Sequence, residues 1–488
     1  MRLGGWEREA LAVAVVLGAL AVATTWLISL GGQLTWDEAV YATKSRSLVT
    51  DIPASHWLIY RPPGLPYLGL LAAPFGVSLE SLRIVSAAAG IATLAAAWGL
   101  ARWLWGSLAA LVALLALAGA PAVLGRLPVF RNDLISVGPV LLLLILLWWQ
   151  LERRPRPNAF LLAAAPLAAA AFYLRFGALP LVVGAGIAAV ILWPAALWQH
   201  RRLVTLTLAL GLLLLVPHVA EAIARTGSPL GIVRSAVEVT DTTGPLTAAV
   251  RYARWLPATI AGPAGIAVLA AAAIGGLVAG RQALRARTMT PQVRRYLLVL
   301  VPAIAGAIGI VLVSHPEPRY MLGPLALGAI AGGGAVAEGL RRFRRTSVRR
   351  RAMGANAALA LVAALVVFDA VVGVVWLRGR SDRARVQLDA RAGEAIAADA
   401  RGPCVAVASQ IPVTGWYSRC LAVGYGANLT RVRTQLAVGL PAYVVLRTGD
   451  DELIGTKKLS RYQRLTVSPP LATIVEETRR ATVNRLKP

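Results

Sequence analysis

The residues of this 488-residue chain best suited to chemistry are an adjacent acid pair, Asp37-Glu38. They lie in Leu34-Thr35-Trp36-Asp37-Glu38-Ala39-Val40-Tyr41, with an aromatic on each side. The apolar run Leu11 to Leu30 comes just before and is long enough to cross a bilayer. Carboxylates are costly in hydrocarbon. Just past the end of a span they stand at the water interface, where a base can meet both a lipid and a soluble substrate. Trp36 and Tyr41, apolar bodies with polar tips, suit that boundary. Neighbouring side chains on a helix point in different directions, so at most one of the acids faces a given reacting atom. A helix start capped by Thr35 or Asp37, with acids at its positive end, fits the same spacing.

The loop continues through His56 and Tyr60 to Arg61-Pro62-Pro63-Gly64. Two prolines fix an extended backbone and hold Arg61 in place. A placed guanidinium at a membrane surface is a good phosphate ligand, and a snorkelling arginine before a helix is the alternative. Asp133, preceded by Arg131-Asn132, opens a long apolar run. It is either a helix cap or a second acid in the same cavity. His315-Pro316-Glu317-Pro318-Arg319-Tyr320 joins two spans, and its prolines block helix continuation, so His315 and Arg319 project from a short rigid loop as a candidate anion site. Trp36, Tyr41, His56, Tyr60, Arg131 and Tyr320 are the expected lining of the substrate cavity. The chain has four histidines, none paired at metal-ligand spacing. A divalent cation, Mg or Mn, stays open. No nucleotide-phosphate loop or nucleophile elbow occurs, so an energised donor has to come from the lipid.

The elements that must position these residues are membrane helices. The chain is 57% hydrophobic and 15% charged, with a mean hydropathy of +0.65; soluble proteins carry roughly 25% charge. The net charge of +27 raises nucleic acid as a partner. The basic residues cluster in short loops between apolar runs, which instead fits cytoplasmic loops, so no nucleic-acid partner is expected. Spans are expected at 9–30, 79–100, 107–124, 134–151, 159–174, 178–198, 203–223, 256–279, 296–314, 320–340 and 354–377. The first reads as a span, not a cleaved signal. The Pro- and Gly-rich stretch 64–76 reads as interfacial or re-entrant. Arginines at 102, 153–156, 201–202, 281–295 and 341–351 mark the cytoplasmic side. The amino terminus is then inside and the tail outside. Residues 31–78, 121–133, 224–255 and 315–319 share the outer face, and with them the candidate site.

The tail, 378–488, has a soluble pattern: a helix over 382–399, then short apolar runs at Cys404–Ala408, Leu421–Tyr425, Tyr443–Leu446 and Leu465–Val467. Asn428-Leu429-Thr430 matches a glycosylation acceptor by spacing. An outer location would let Cys404 and Cys420 form one disulfide; two buried thiols are the alternative.

Asp37-Glu38, Arg61-Pro62-Pro63, Asp133 and Pro318-Arg319-Tyr320, in this order and on one side, resemble the GT-C glycosyltransferases. The protein O-mannosyltransferases and the lipid A aminoarabinose transferases are the nearest in pattern. The resemblance covers 1–377 and, in outline, the tail. It implies an all-α polytopic membrane fold of about eleven helices (1–377) with a small outer α/β domain (378–488). It also implies a sugar carried on polyprenyl phosphate, a hydroxyl acceptor on the outer face of the cell membrane, and contact with membrane lipids. Asp37 would be the base, Glu38 its neighbour, Asp133 the second acid, and Arg319 the late basic residue near the donor phosphate. Arg61 stands where the family often has His or Lys. An acidic metal cluster is missing. A lipid or solute transporter is the competing reading, but transporters place charges near the midplane and carry repeats, neither of which is seen here.

Overall fold

The computed structural model describes residues 5–345, 383–424, 441–447, 462–465 and 481–486, apart from 33, 59, 155–156, 239–243, 314 and 401. The chain forms two compact units. The first comprises Met1–Trp26, Pro62–Gly64 and Ser86–Arg378; the second comprises Leu27–Arg61, Leu65–Val85 and Gly379–Pro488. Most of the stretch 31–78 thus groups with the tail.

Among the described residues, seven helices are long and apolar enough to cross a membrane: Glu9–Ser29, Leu79–Trp105, Asn132–Arg153, Arg201–Thr226, Gly262–Ala286, Pro291–Leu312 and Pro318–Phe343. Three further expected spans are shorter, at Ser107–Gly119, Ala159–Leu174 and Phe176–Leu192. The 13 residues of Ser107–Gly119 reach only about 20 Å, against a hydrocarbon core of about 30 Å. Short helices of this kind need protein neighbours to satisfy the backbone at their ends. The expected span 354–377 and Asn428-Leu429-Thr430 lie outside the described residues.

Small residues set the packing of the first unit. On Leu322–Arg345, a Cβ at Gly332 would strike the carbonyl of Val268, and one at Gly333 the carbonyl of Ala109. The helix backbones approach so closely because nothing stands between them, which is how spans associate without a hydrophobic driving force. Gly106, at φ +89°, makes the sharp break between Leu79–Trp105 and Ser107–Gly119.

The second unit is built on a five-stranded sheet. Its strands are β1 (Val405–Val407), β2 (Leu421–Val423), β3 (Ala442–Arg447), β4 (Tyr462–Leu465) and β5 (Ala481–Leu486), in the order β2-β1-β3-β5-β4. β1 pairs in parallel with β2 and β3, with Val405 opposite Leu421 and Ala442; β5 is antiparallel to β3 and β4. The helices Arg383–Ala400 and Ile411–Ser418 accompany it. Ala392, Ile396, Ala406, Ala422, Tyr443 and Val445 form its core. Cys404 and Cys420 are joined as a disulfide, which settles the alternative left open by the sequence. The helix Trp36–Ser47 is tied to this domain by Arg46, whose Nη1 and Nη2 donate to the carbonyls of Trp416 (2.7 Å) and Gly415 (2.8 Å). The loop behind it is tied by Ser55, whose Oγ accepts from the Ala422 amide at 3.0 Å.

Candidate active site

Thr35, in extended backbone, is the N-cap of the helix Trp36–Ser47. The cap does not use Asp37. Glu38, three residues after Thr35, closes the capping box, with the Thr35 amide donating to its Oε2 at 3.4 Å. The adjacent acids are therefore split by geometry, as neighbours on a helix must be.

Glu38 is wholly buried and Arg83 grips both its oxygens: Nε to Oε1 at 2.7 Å and Nη2 to Oε2 at 2.9 Å. The remaining Arg83 nitrogen, Nη1, donates to the carbonyl of Gly32 at 2.6 Å. A buried carboxylate gripped by a bidentate guanidinium is held in place. Asp37 keeps 18% of its side chain exposed and pairs with Arg61, Nη1 to Oδ1 at 2.9 Å. Burial works against the Arg61 charge, but Asp37 together with Tyr41 and Tyr60 outweighs it, and the guanidinium pKa is raised. Arg61 also stands over the rings of Tyr60 and Tyr41, 5.6 and 5.8 Å from their centroids.

His56 meets Trp36 edge-on, with ring centroids 5.1 Å apart. Burial and then the charge of Arg61 push its pKa below the ordinary histidine value, so the ring is neutral at pH 7. His56 has φ +58°, a left-handed conformation unusual for its type. Thus Trp36, Asp37, Tyr41, His56, Tyr60 and Arg61 come together in the second unit.

The first unit holds the other expected residues. Asp133 sits in the short helix Asn132–Ile135, with Arg131 at the N-cap position. Asn132 fixes this turn by donating from Nδ2 to the carbonyl of Leu174 at 2.5 Å. Asp133 is buried and ion-paired to Arg175, and Arg319 Nε stands 3.8 Å from its Oδ1. Arg319 itself belongs to the 3-10 turn Pro318–Met321, where Glu317 receives its Nη2 at 2.8 Å and its Nε lies 2.5 Å from Oε2. The amide of Glu317 donates to Tyr252 Oη at 3.2 Å, which anchors the loop. Tyr320 is flanked by two cations, with Arg175 at 4.4 Å and Arg319 at 5.3 Å from the ring centroid. His315 is half-buried in the loop before the turn.

Positive charge is in surplus here. Arg126, Arg131, Arg175 and Arg319 all act on Asp133, and Glu317 is the second carboxylate. Loss of solvent, then the charges around it, chiefly Arg131, push the Arg126 guanidinium down to about 9. Four guanidiniums beside two described carboxylates make a setting that favours a bound anion. Among the described residues, no three of His, Cys, Asp and Glu gather as a metal-binding group. Both acids of the pair are matched by arginines.

Three partners escaped the sequence reading: Arg83, Arg126 and Arg175. The topology held the signal. By the parity of the expected spans, 175–177 is a further outer loop, Arg126 lies on the same face, and Arg83 enters its span from it. Arginines on the outer face run against the positive-inside bias and need another reason.

Residues 60–220 match the family model described as dolichyl-phosphate-mannose-protein mannosyltransferase. Among solved structures, ArnT from Cupriavidus metallidurans bound to undecaprenyl phosphate superposes with a TM-score of 0.62 at 17% identity, covering 97% of each chain. Its apo state gives 0.63 at 16% identity and 98% of each. The oligosaccharyltransferase AglB from Archaeoglobus fulgidus, in complex with an inhibitory peptide and a dolichol-phosphate, gives 0.60 at 13% identity, covering 96% of this chain and 76% of that one. Comparison with curated protein sequences finds no match.

Proposed function

We infer that this chain, a GT-C glycosyltransferase by its fold and its match to the mannosyltransferase model, moves a sugar from a polyprenyl phosphate to a hydroxyl acceptor on the outer face of the cell membrane. The observation that carries this reading is the arginine surplus around Asp133, in a chain without a nucleotide-phosphate loop. A lipid phosphate supplies the missing counter-charge. Two solved structures of the same fold were obtained with an undecaprenyl and a dolichol phosphate, which supports the donor class.

In this reading Asp37 is the general base. It is the carboxylate of the pair that solvent, and hence a substrate, can reach. It takes the proton of the acceptor hydroxyl as the new bond forms between that oxygen and the anomeric carbon. The bond from that carbon to the phosphate oxygen breaks, and its electrons leave with the polyprenyl phosphate. Attack in line with the departing phosphate inverts the anomeric centre. In the same reading Arg319 and Arg175 stabilise the charge growing on the phosphate. Phosphate is a good leaving group, so no general acid is required, in contrast to glycosidases with their two carboxyl groups. Glu38 and Arg83 act as positioning residues that set the helix start. Asp133 orients Arg175 and Arg319. The disulfide between Cys404 and Cys420 supports an oxidising, outer compartment for the tail.

The test is direct. Purified protein is incubated with a panel of polyprenyl-phosphate sugars (mannose, arabinofuranose, aminoarabinose), and release of free polyprenyl phosphate is followed by mass spectrometry. Consumption of one member, dependent on an added hydroxyl acceptor, is expected. Passage of lipid-linked sugar across vesicles without any transfer product would replace this reading by transport.

A further inference from the structure

A second basic site lies in the second unit, away from the acid pair on the same helix. A cavity of about 660 Å³ opens there, with Arg46, Thr50, Ser78, Trp416, Tyr417 and Arg419 in its wall and no carboxylate among the described lining residues. Arg46 is buried, and two of its nitrogens are used on the carbonyls of Gly415 and Trp416. Its Nε finds no acceptor among the described residues. Burial and then the like charge of Arg419 lower its guanidinium to about 10. Two cations thus face one cavity with nothing described there to balance them.

Arg419 is the second observation. It caps the helix Ile411–Ser418 in a left-handed conformation, φ +59° and ψ 9°, where glycine or asparagine is usual. The next residue, Cys420, is fixed by the disulfide. A long charged side chain kept at a strained position on a cavity rim points to use of its charge.

The surroundings say where the anion comes from. Ala73 and Val77 line the cavity next to the short apolar helix Gly64–Phe75. That helix leaves Tyr67, Leu71 and Phe75 exposed at 58%, 62% and 81%. Large apolar side chains left bare on so short an apolar segment mark it as lying in a bilayer interface. A cavity that opens beside such a helix is reached from the lipid head-group layer.

We propose that this cavity binds the phosphate of an anionic membrane lipid between Arg46 and Arg419, with the lipid tails beside Tyr67, Leu71 and Phe75. The bound phosphate relieves the repulsion between the two guanidiniums and firms the end of the helix Trp36–Ser47 opposite Asp37. The proposal needs only the membrane setting and stands apart from the transfer chemistry.

The test uses the full chain in neutral detergent, with hydrogen exchange read at 46–52 and 415–420. Phosphatidylglycerol, phosphatidylcholine and inorganic phosphate are added separately at equal concentration. Phosphatidylglycerol is expected to slow exchange at both segments by about tenfold, and the other two to leave it unchanged. Arg419→Gly suits the left-handed backbone and should fold while losing the protection; Arg419→Asn repeats the test with a second residue at home there. Equal protection by phosphatidylcholine would reduce the site to an apolar contact. Equal protection by inorganic phosphate would make it a soluble-anion site. Full protection retained in both variants would remove Arg419, and each of these results overturns the proposal.

Discussion

Arg83 holds both oxygens of Glu38, at 2.7 and 2.9 Å, while the neighbouring Asp37 meets a different arginine, Arg61, through one oxygen at 2.9 Å. One acid is locked and the other is presented. The difference arises from a single step along one helix, which turns the two side chains apart. In the proposed mechanism this divides structural and chemical duties between adjacent residues of identical charge.

The locked pair should govern stability. Glu38→Gln leaves the Arg83 guanidinium buried without its counter-ion, a loss of about 3–5 kcal/mol. The melting temperature in detergent should fall clearly. A double variant, Glu38→Leu with Arg83→Met, removes both charges and should recover most of that loss. A double variant no more stable than Glu38→Gln would mean that the hydrogen bonds to Gly32 and Thr35 matter more than the ion pair.

The presented acid should govern rate. Asp37→Asn keeps an oxygen for Arg61 to donate to, so folding and donor binding are expected to persist. Transfer should drop by roughly 10²–10⁴-fold, the usual contribution of one general base. Turnover and melting temperature measured on the same preparation separate this from the Glu38 effect. Undiminished turnover would take Asp37 out of the mechanism.

Arg319→Ala should weaken apparent donor affinity by about 10–100-fold, the range for one charged hydrogen bond. Acceptor affinity should change much less. The variant also leaves Glu317 without the arginine it pairs with, so Arg319→Lys is the useful companion: it restores charge but not the two-pronged geometry, and should recover the loss only in part. Equal losses for donor and acceptor would count against a phosphate role.

Asp37, Arg61, Asp133 and Arg319 were legible in the sequence because ionisable residues at the edge of apolar runs demand a reason. The order of most spans was legible for the same reason: twenty apolar residues have few other fates. What could not be read is pairing. Glu38 and Arg83, or Asp133 and Arg175, are separated by 45 and 42 residues, and only tertiary packing brings them together. Neither Arg83, inside an expected span, nor Arg175, between two of them, belongs to a motif that singles it out. In the tail, β5 escaped notice because Ala481–Leu486 mixes Thr, Asn and Arg with its apolar residues, and no alternation distinguishes it from a loop. β1 and β3 were visible as apolar runs because their residues are buried in the core of the domain.

The disulfide should connect the tail to catalysis. Cys404 and Cys420 are 16 residues apart, and closing a loop of that size contributes about 3 kcal/mol in the chain-entropy model. Reduction should therefore speed amide exchange in β1, β2 and the helix Ile411–Ser418 by roughly 10²-fold, provided they open as one local unit. That helix supplies the Gly415 and Trp416 carbonyls that hold Arg46, and Arg46 ends the helix on which Asp37 sits. Loosening the tail should then let the base wander, lowering turnover, while donor affinity, set by the arginines around Asp133, stays as it was. Cys404→Ser with Cys420→Ser gives the same comparison without reductant. Faster exchange with unchanged turnover would show that the hold of the tail on the Asp37 helix does not matter for the chemistry.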